Sequence, residues 1–346
     1  MKYKKILAAL LASQFIILAG GCEFSVGNSI NGGSSVDTQQ GSGEQTVWEE
    51  EQDNNIFKDR HYQTGFKLTN TASVPGPTYL GDLHYGGITD IPSRWILAQW
   101  CTKYLIQPTD IPKEEEGWYV WKNESKVVKV NTEEGAIYME CNASKEFDAP
   151  RVNMQDWPHL LIEQYTTARC PDLSKIDSLK LQMEFVIDKC EKKMTPEEYN
   201  AELHTAQFQI NFTVSNQNKN SPGYGDCIWF GLQFFDDRFP FSQDSVSIDG
   251  GKDSATGLAM YGVSSKRFLK EPVYVGDYIE IDFDILPEIK KALQACREYD
   301  GVEVFRNTNL EDLKLTTMNI GWELPGTYDV ASTIYKLNLV YDKSKK

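Results

Sequence analysis

Amides, indoles and lone carboxylates recur at alternate positions in four segments of this 346-residue chain: Trp157, His159 and Glu163; Gln207, Gln209 and Asn211; Trp229 and Gln233; Asn319 and Glu323. Such a mixture suits an uncharged polyol. An indole stacks on the C–H face of a pyranose, while planar amides and carboxylates take hydroxyls in pairs. All ten residues are therefore candidate contacts for a neutral oligo- or polysaccharide. His159 and Glu163 stand four residues apart, about 13 Å along an extended strand, which fits two subsites of a groove better than a direct pair. Carboxylates on such a face also raise the possibility of hydrolysis, with Glu163 and Glu323 as one pair and Glu280 and Asp284 as another. The competing reading makes these side chains satisfied polar groups between packed layers, with Glu163 paired to an arginine such as Arg151.

The elements that have to position them read as strands with one buried face. Leu179, Leu181, Met183, Phe185 and Ile187 alternate with polar residues, as do Phe208, Ile210, Phe212 and Val214. The same period of two runs through Ile228–Phe234, Ile279–Ile285, Met318–Leu324 and Tyr335–Tyr341. One-sided alternation belongs to antiparallel sheets packed face to face. Two short helices are expected as connectors. One opens at the capping box Thr195-Pro196-Glu197-Glu198 and runs to about Leu203; the other opens at Pro287, with Ile289, Leu293 and Cys296 on one face. The fold class that follows is all-β: a two-sheet antiparallel β-sandwich of jelly-roll or concanavalin-like type with a few short helices. Concanavalin-like carbohydrate-active proteins are similar at this level. If the segments at 157–165, 207–214, 228–235 and 318–324 share one sheet, their polar faces line one groove. Trp95 and Trp100 read first as core.

Glu280-Ile281-Asp282-Phe283-Asp284 resembles the strand motif of laminarinase-type glucanases, in which Glu-x-Asp-x-Glu occupies one strand face. The resemblance implies Glu280 as nucleophile and Asp282 as helper, with Asp284 standing where the acid/base Glu belongs. Asp is one methylene shorter, and retaining chemistry wants its carboxyls about 5–5.5 Å apart.

Met1 to Cys22 resembles a bacterial lipoprotein signal. Lys2, Lys4 and Lys5 precede the apolar run Ile6–Leu18, and Leu18-Ala19-Gly20-Gly21-Cys22 resembles a lipobox whose cysteine takes the lipid. Ala19 occupies the third position before the cysteine, where leucine is commoner. The expected organisation is a signal over residues 1–22, a Gly/Ser/Asn-rich tether over 23–55 and one sandwich domain over 56–343. The implied place is the outer face of the bacterial cell membrane, reached by export and held through the lipid alone. A net charge of −15 argues against nucleic acid and against an anionic surface as partner. A monomer is the simplest assumption.

Six further cysteines, at 101, 141, 170, 190, 227 and 296, show no zinc spacing, and their pairing is not encoded in the pattern. No cofactor is called for. Asp249 and Asp253 flank a Gly-Gly turn and are the weak calcium candidates. Three functions follow in order: a glycan-binding lipoprotein, a glycoside hydrolase on the same scaffold, and a structural or adhesive surface protein.

Overall fold

Each alternating segment forms a strand, and the strands assemble into two sheets. A computed structural model of the chain describes residues 54–343 except 73–75, 87–89, 250–257 and 301–303. The signal, Cys22, most of the tether and Asp253 lie outside the described residues.

The first sheet has nine strands, in the spatial order β12 (Ser245–Ile248), β13 (Ala259–Val263), β11 (Cys227–Asp236), β10 (Gln207–Asn216), β15 (Leu313–Glu323), β8 (His159–Tyr165), β3 (Trp95–Ala98), β1 (Phe66–Ala72) and β2 (Gly76–Leu83). The second has seven: β14 (Tyr278–Asp284), β9 (Ile176–Lys192), β16 (Tyr328–Lys343), β7 (Ala136–Asn142), β6 (Lys126–Asn131), β5 (Trp118–Lys122) and β4 (Lys113–Glu115). Neighbours run antiparallel apart from two parallel pairs, β1 with β3 and β11 with β13. The expected two-sheet β-sandwich is the observed architecture.

The core lies between the sheets. Leu181, Phe185 and Ile187 of β9 face Phe208, Ile210 and Phe212 of β10, all fully buried. Phe185 packs at 5.5 Å from Phe208 and 5.4 Å from Phe234, and Trp322 Nε1 donates across the layers to Ser332 Oγ at 3.0 Å. Burying each such aromatic contributes about 1.5–3 kcal/mol. The bulges at Ala331/Ser332 and Ile334/Lys336 bend β16, letting a 16-residue strand follow a twisted partner.

Two expectations change in detail. Asn55 bridges Val340, and its side-chain oxygen accepts from Phe57 and Leu339 amides, so the domain already includes Asn54 and Asn55 rather than starting at 56. The Thr195–Glu198 capping box forms, but only two consecutive turns follow it, one closed by Tyr199 N on Thr195 O and one by His204 N on Asn200 O. A helix there is replaced by turns because His204 Nδ1 takes the Asn200 amide and its Nε2 meets Arg151 O, pinning the second turn to the loop before β8. The helix at Leu286–Glu298 is present, with Ile289, Leu293 and Cys296 buried. The six described cysteines are free thiols. Cys141 and Cys190 flank Val330 from the strands on either side, about 10 Å apart and beyond disulfide reach.

Candidate functional site

The four polar segments become β8, β15, β10 and β11, four consecutive strands of the nine-stranded sheet. Their registers put the predicted residues into transverse rows on the face turned away from the core. Glu163 lies opposite Asn319, Asn319 opposite Asn211, and Asn211 opposite Gly231. The next row runs Leu161, Gly321, Gln209, Gln233, and the one beyond it His159, Glu323, Gln207, Asp236. On the other side of the Glu163 row stand Thr317, Thr213 and Trp229.

These side chains are buried, yet several of their polar atoms find no hydrogen-bond partner in the protein. Gln209 donates to Glu323 Oε1 at 2.8 Å, which leaves Gln209 Oε1 and Glu323 Oε2 unmatched. His159 Nε2 approaches Glu323 Oε2 at 3.4 Å without hydrogen-bond geometry, while its Nδ1 contacts Trp157 O at 2.9 Å. Asn211 Nδ2 reaches Asn319 Oδ1 only at 3.5 Å, and Asn211 Oδ1 has no partner. The indole nitrogens of Trp100 and Trp229 share that condition. Folded proteins leave few buried polar groups unmatched, since each costs about 1–3 kcal/mol. They concentrate here on one sheet face.

Two small apolar clusters, separate from the main core, frame this polar middle. Trp229 packs with Met260 and Leu258 at one end; Trp100 packs with Ala98 and Leu161 at the other. At the second end Trp157 lies almost parallel to His159 at 5.9 Å, and the Arg151 guanidinium covers the Trp157 ring at 4.9 Å.

Glu163 keeps part of its surface open at the middle of the face. Burial pushes its carboxyl up to about 8, against the opposing pull of a hydrogen bond from the Asn319 side chain. It is therefore a neutral acid at pH 7 and can donate as well as accept. Arg151 is not its partner; that guanidinium donates to the carbonyls of Pro325, Gln155 and Leu203.

Several predicted residues take other duties. The amide nitrogens of Gln207 and Gln233 reach Asp236 Oδ2 at 3.1 and 3.3 Å, and Asp236 is held by Arg238 at 2.8 Å, so these two amides brace the rim. Glu280, Asp282 and Asp284 stand on β14 at the edge of the other sheet. Glu280 is exposed opposite Glu184, Asp282 accepts from Gln182 at 3.3 Å, and Asp284 Oδ1 accepts from the amides of Leu179 and Leu286. Asp284 thus caps the entry to the helix Leu286–Glu298, and the triplet is a solvated strand face remote from the indole-lined surface. Glu163 and Glu323 share that surface but sit four register positions apart, about 13 Å along the strands, beyond the 6.5–9.5 Å of inverting and the 5–5.5 Å of retaining pairs. Asp249 is buried, and among the described residues no group of three or more His, Cys, Asp or Glu is arranged to hold a metal.

Trp100 is buried, as read, but packs in a small cluster with Ala98 and Leu161 outside the main core. Trp95 is core, as read, with its Nε1 donating to Asp59 O. The five-residue spacing places Trp100 just past the end of β3, where His159 N bonds its carbonyl and brings the indole over to the β8 side.

No family model matches the chain, and no curated protein matches it. Among solved structures, an engineered cellulase derived from Rhodothermus marinus aligns over 65% of this chain and 92% of its own at 10% identity, with a TM-score of 0.37. A family 12 xyloglucanase from Bacillus licheniformis aligns over 66% and 88% at 10% identity with a TM-score of 0.36. A family 11 xylanase from Neocallimastix patriciarum aligns over 66% and 94% at 10% identity with a TM-score of 0.35.

Proposed function

We propose that this protein binds a neutral oligo- or polysaccharide on the outer face of its nine-stranded sheet. The observation that carries this reading is the row of buried, unmatched polar atoms on Gln209, Asn211, Glu323 and His159 between the indoles of Trp100 and Trp229. Hydroxyls both donate and accept, so a sugar can match acceptors and donors that alternate along one face. Glu323 and Asp236 put carboxylates on this face, and Arg238 beside them is already held by Asp236, which disfavours an anionic ligand. The reading includes export, with attachment to the outer face of the cell membrane through lipid on Cys22 and no other membrane contact, and a monomeric protein.

The test is a glycan array on the full chain purified in detergent, followed by calorimetry and mass spectrometry of the glycans recovered. Trp229→Ala should weaken binding of the selected glycan at least tenfold in a protein that still folds, with the unfolding transition lowered because Trp229 is buried against Met260 and Leu258. Unchanged affinity in that variant would remove the indole from the site, and silence across the array would favour a structural or adhesive role.

A second reading, glycoside hydrolysis, is favoured by one feature: a carboxyl on the binding face that stays protonated to about pH 8, as a general acid requires. It lacks a second carboxylate at catalytic distance in the described strands. New reducing ends from the bound glycan, abolished in Glu163→Gln with binding retained, would establish it.

A further inference from the structure

The opposite side of the sandwich carries its own groove. It lies on the outer face of the seven-stranded sheet and encloses about 630 Å³ between Trp118 and Tyr335. Its floor is one register row across four strands: Thr333 of β16 opposite Tyr138 of β7, Tyr138 opposite Lys129 of β6, and Lys129 opposite Val120 of β5. The neighbouring positions on β7, Ile137 and Met139, point into the core, so Tyr138 is turned outward by the pleat. One wall is the hairpin of β4 and β5. Glu116 and Gly117 both have positive φ, 51° and 84°, the pairing a two-residue type I′ turn demands, and the turn holds Glu115 and Glu116 beside the groove. A glutamate in that left-handed conformation is costly where glycine or asparagine would serve, which ties its carboxylate to this place.

We infer that this groove is a second saccharide-binding site, taking a neutral oligosaccharide laid across the strands. Three features define the ligand class. The aromatic surfaces form a track rather than a cluster: Trp118 at one wall, Tyr138 on the floor, then Tyr335, which is 38% exposed, and Tyr278, 58% exposed and 5.8 Å from the Tyr335 ring. From β5 to β14 that track crosses five strand spacings, about 24 Å, the span of an extended oligosaccharide rather than of one sugar. The rings of Trp118, Tyr335 and Tyr278 spaced along the groove are what stacked pyranoses need, with Tyr138, under Lys129, forming the floor between them.

The second feature is charge. The one ammonium on the floor, Lys129, lies 4.8 Å over the Tyr138 ring, and the carboxylates of Glu115 and Glu116 outnumber it. An anionic ligand is therefore disfavoured, while carboxylates beside a ring are standard acceptors for paired hydroxyls. Thr333 donates its hydroxyl proton to Asp188 at 2.7 Å, so its oxygen faces the groove as an acceptor. The third feature is the backbone. Strands β5, β6, β7 and β16 are paired on both edges, so the groove offers no free main-chain ladder, and a peptide has nothing to extend.

The site stands apart from the indole-lined face of the other sheet, and its test separates the two. Calorimetry of the full chain with cellohexaose, xylohexaose, mannohexaose and laminarihexaose should give two sites per protein for the hexaose that binds. The Trp118→Ala/Tyr335→Ala double variant should lose one of them, with affinity at that site down at least tenfold, and Trp229→Ala the other. Both wall residues are at least partly exposed, so the unfolding temperature should stay as in the wild type, and Tyr335→Phe should keep the second site. Loss of binding in the double variant with none in Trp229→Ala would sustain this inference and remove the front-face reading. Two intact sites in the double variant, no hexaose bound at all, or saturable binding of tetramethylammonium chloride in place of any hexaose would each overturn it.

Discussion

Replacing Glu163 by Gln separates the charge of that side chain from its shape. Burial raises the carboxyl from 4.5 to about 8 in the folded protein. Below about pH 4.5 both folded and unfolded chains hold the proton, and the group is neutral to stability. Between 4.5 and 8 the unfolded chain releases the proton while the native state keeps it, so stability falls as pH rises; above 8 the loss is complete. At 1.36 kcal/mol per unit this reaches about 3 kcal/mol at pH 7, and the partial exposure of Glu163 reduces the expected value to about 1–3 kcal/mol. Gln has nearly the same volume and no titration, so Glu163→Gln should match the wild type at pH 4 and exceed it by that amount at pH 7. The assay is urea unfolding followed by tryptophan fluorescence at intervals from pH 4 to 9. A variant less stable than wild type at pH 7, or a difference that does not change with pH, would mean that Glu163 is ionised against a partner, and the neutral-acid argument would fail. Glycan binding gives a parallel signature: it should weaken above pH 8 in the wild type and stay level in the variant, whose amide still donates.

Two further outcomes concern the frame, alongside the Trp229→Ala and groove experiments above. Lys126 and Glu146 form a fully buried ion pair at 2.7 Å, with Lys126 also donating to Tyr104 O at 2.5 Å. Lys126→Ala strands the Glu146 charge and should cost about 3–5 kcal/mol, whereas Lys126→Met with Glu146→Leu should recover most of it, measured by urea unfolding. The six described cysteines are free thiols, with Cys141 and Cys296 buried and their thiols pushed up to about 12 by desolvation. Reductant should leave the unfolding temperature unchanged; a drop of several degrees would expose a disulfide.

Period-two patterning made the strands legible because each has one core face, and the condition set for one groove, that the four amide and indole segments share a sheet, is met. The charged segments at 179–187 and 279–285 pair as β9 and β14, and the four amide and indole segments are consecutive in the other sheet. Strand order itself could not be read, because register depends on partners far away in the chain: β15 lies between β10 and β8, more than 100 residues from the first and about 150 from the second. The same reason hid the fate of individual residues. Gln207 and Gln233 look like Gln209 in sequence, but only they fall within reach of Asp236, which Arg238 fixes at the rim. The acidic triplet on β14 matched a catalytic pattern locally, yet Asp284 faces a helix entry and Glu280 faces solvent on the wrong sheet. The groove beside Trp118 gave no sequence signal, since it is assembled from one or two residues each of five strands and a turn.

On the proposed glycan-binding reading, the energetics of the indole-lined face suit capture rather than chemistry. Leucine at position 209 or 211 would fit a buried strand face and leave no unmatched oxygen, so the amides there reduce stability relative to an apolar surface. The core between the sheets is large enough to offset that loss, with Phe208, Ile210 and Phe212 of the same strand fully buried on its other side. A ligand hydroxyl that accepts from Trp229 Nε1 or donates to Gln209 Oε1 removes the penalty only while it is bound, which converts a folding cost into binding selectivity. An apolar ligand would leave the oxygens of Asn211 and Glu323 without partners, and is excluded for the same reason. Hydrolysis asks for something different: two carboxyls at fixed short separation with opposed protonation. This face supplies one neutral acid in Glu163, and the nearest carboxylate on the neighbouring strand, Glu323, is four register positions away and already accepts from Gln209. Moving an acceptor to the position opposite Glu163, by Asn319→Asp, would place two carboxyls side by side. It should raise the Glu163 carboxyl further and weaken glycan binding, because one donor amide is lost and one proton must then be shared.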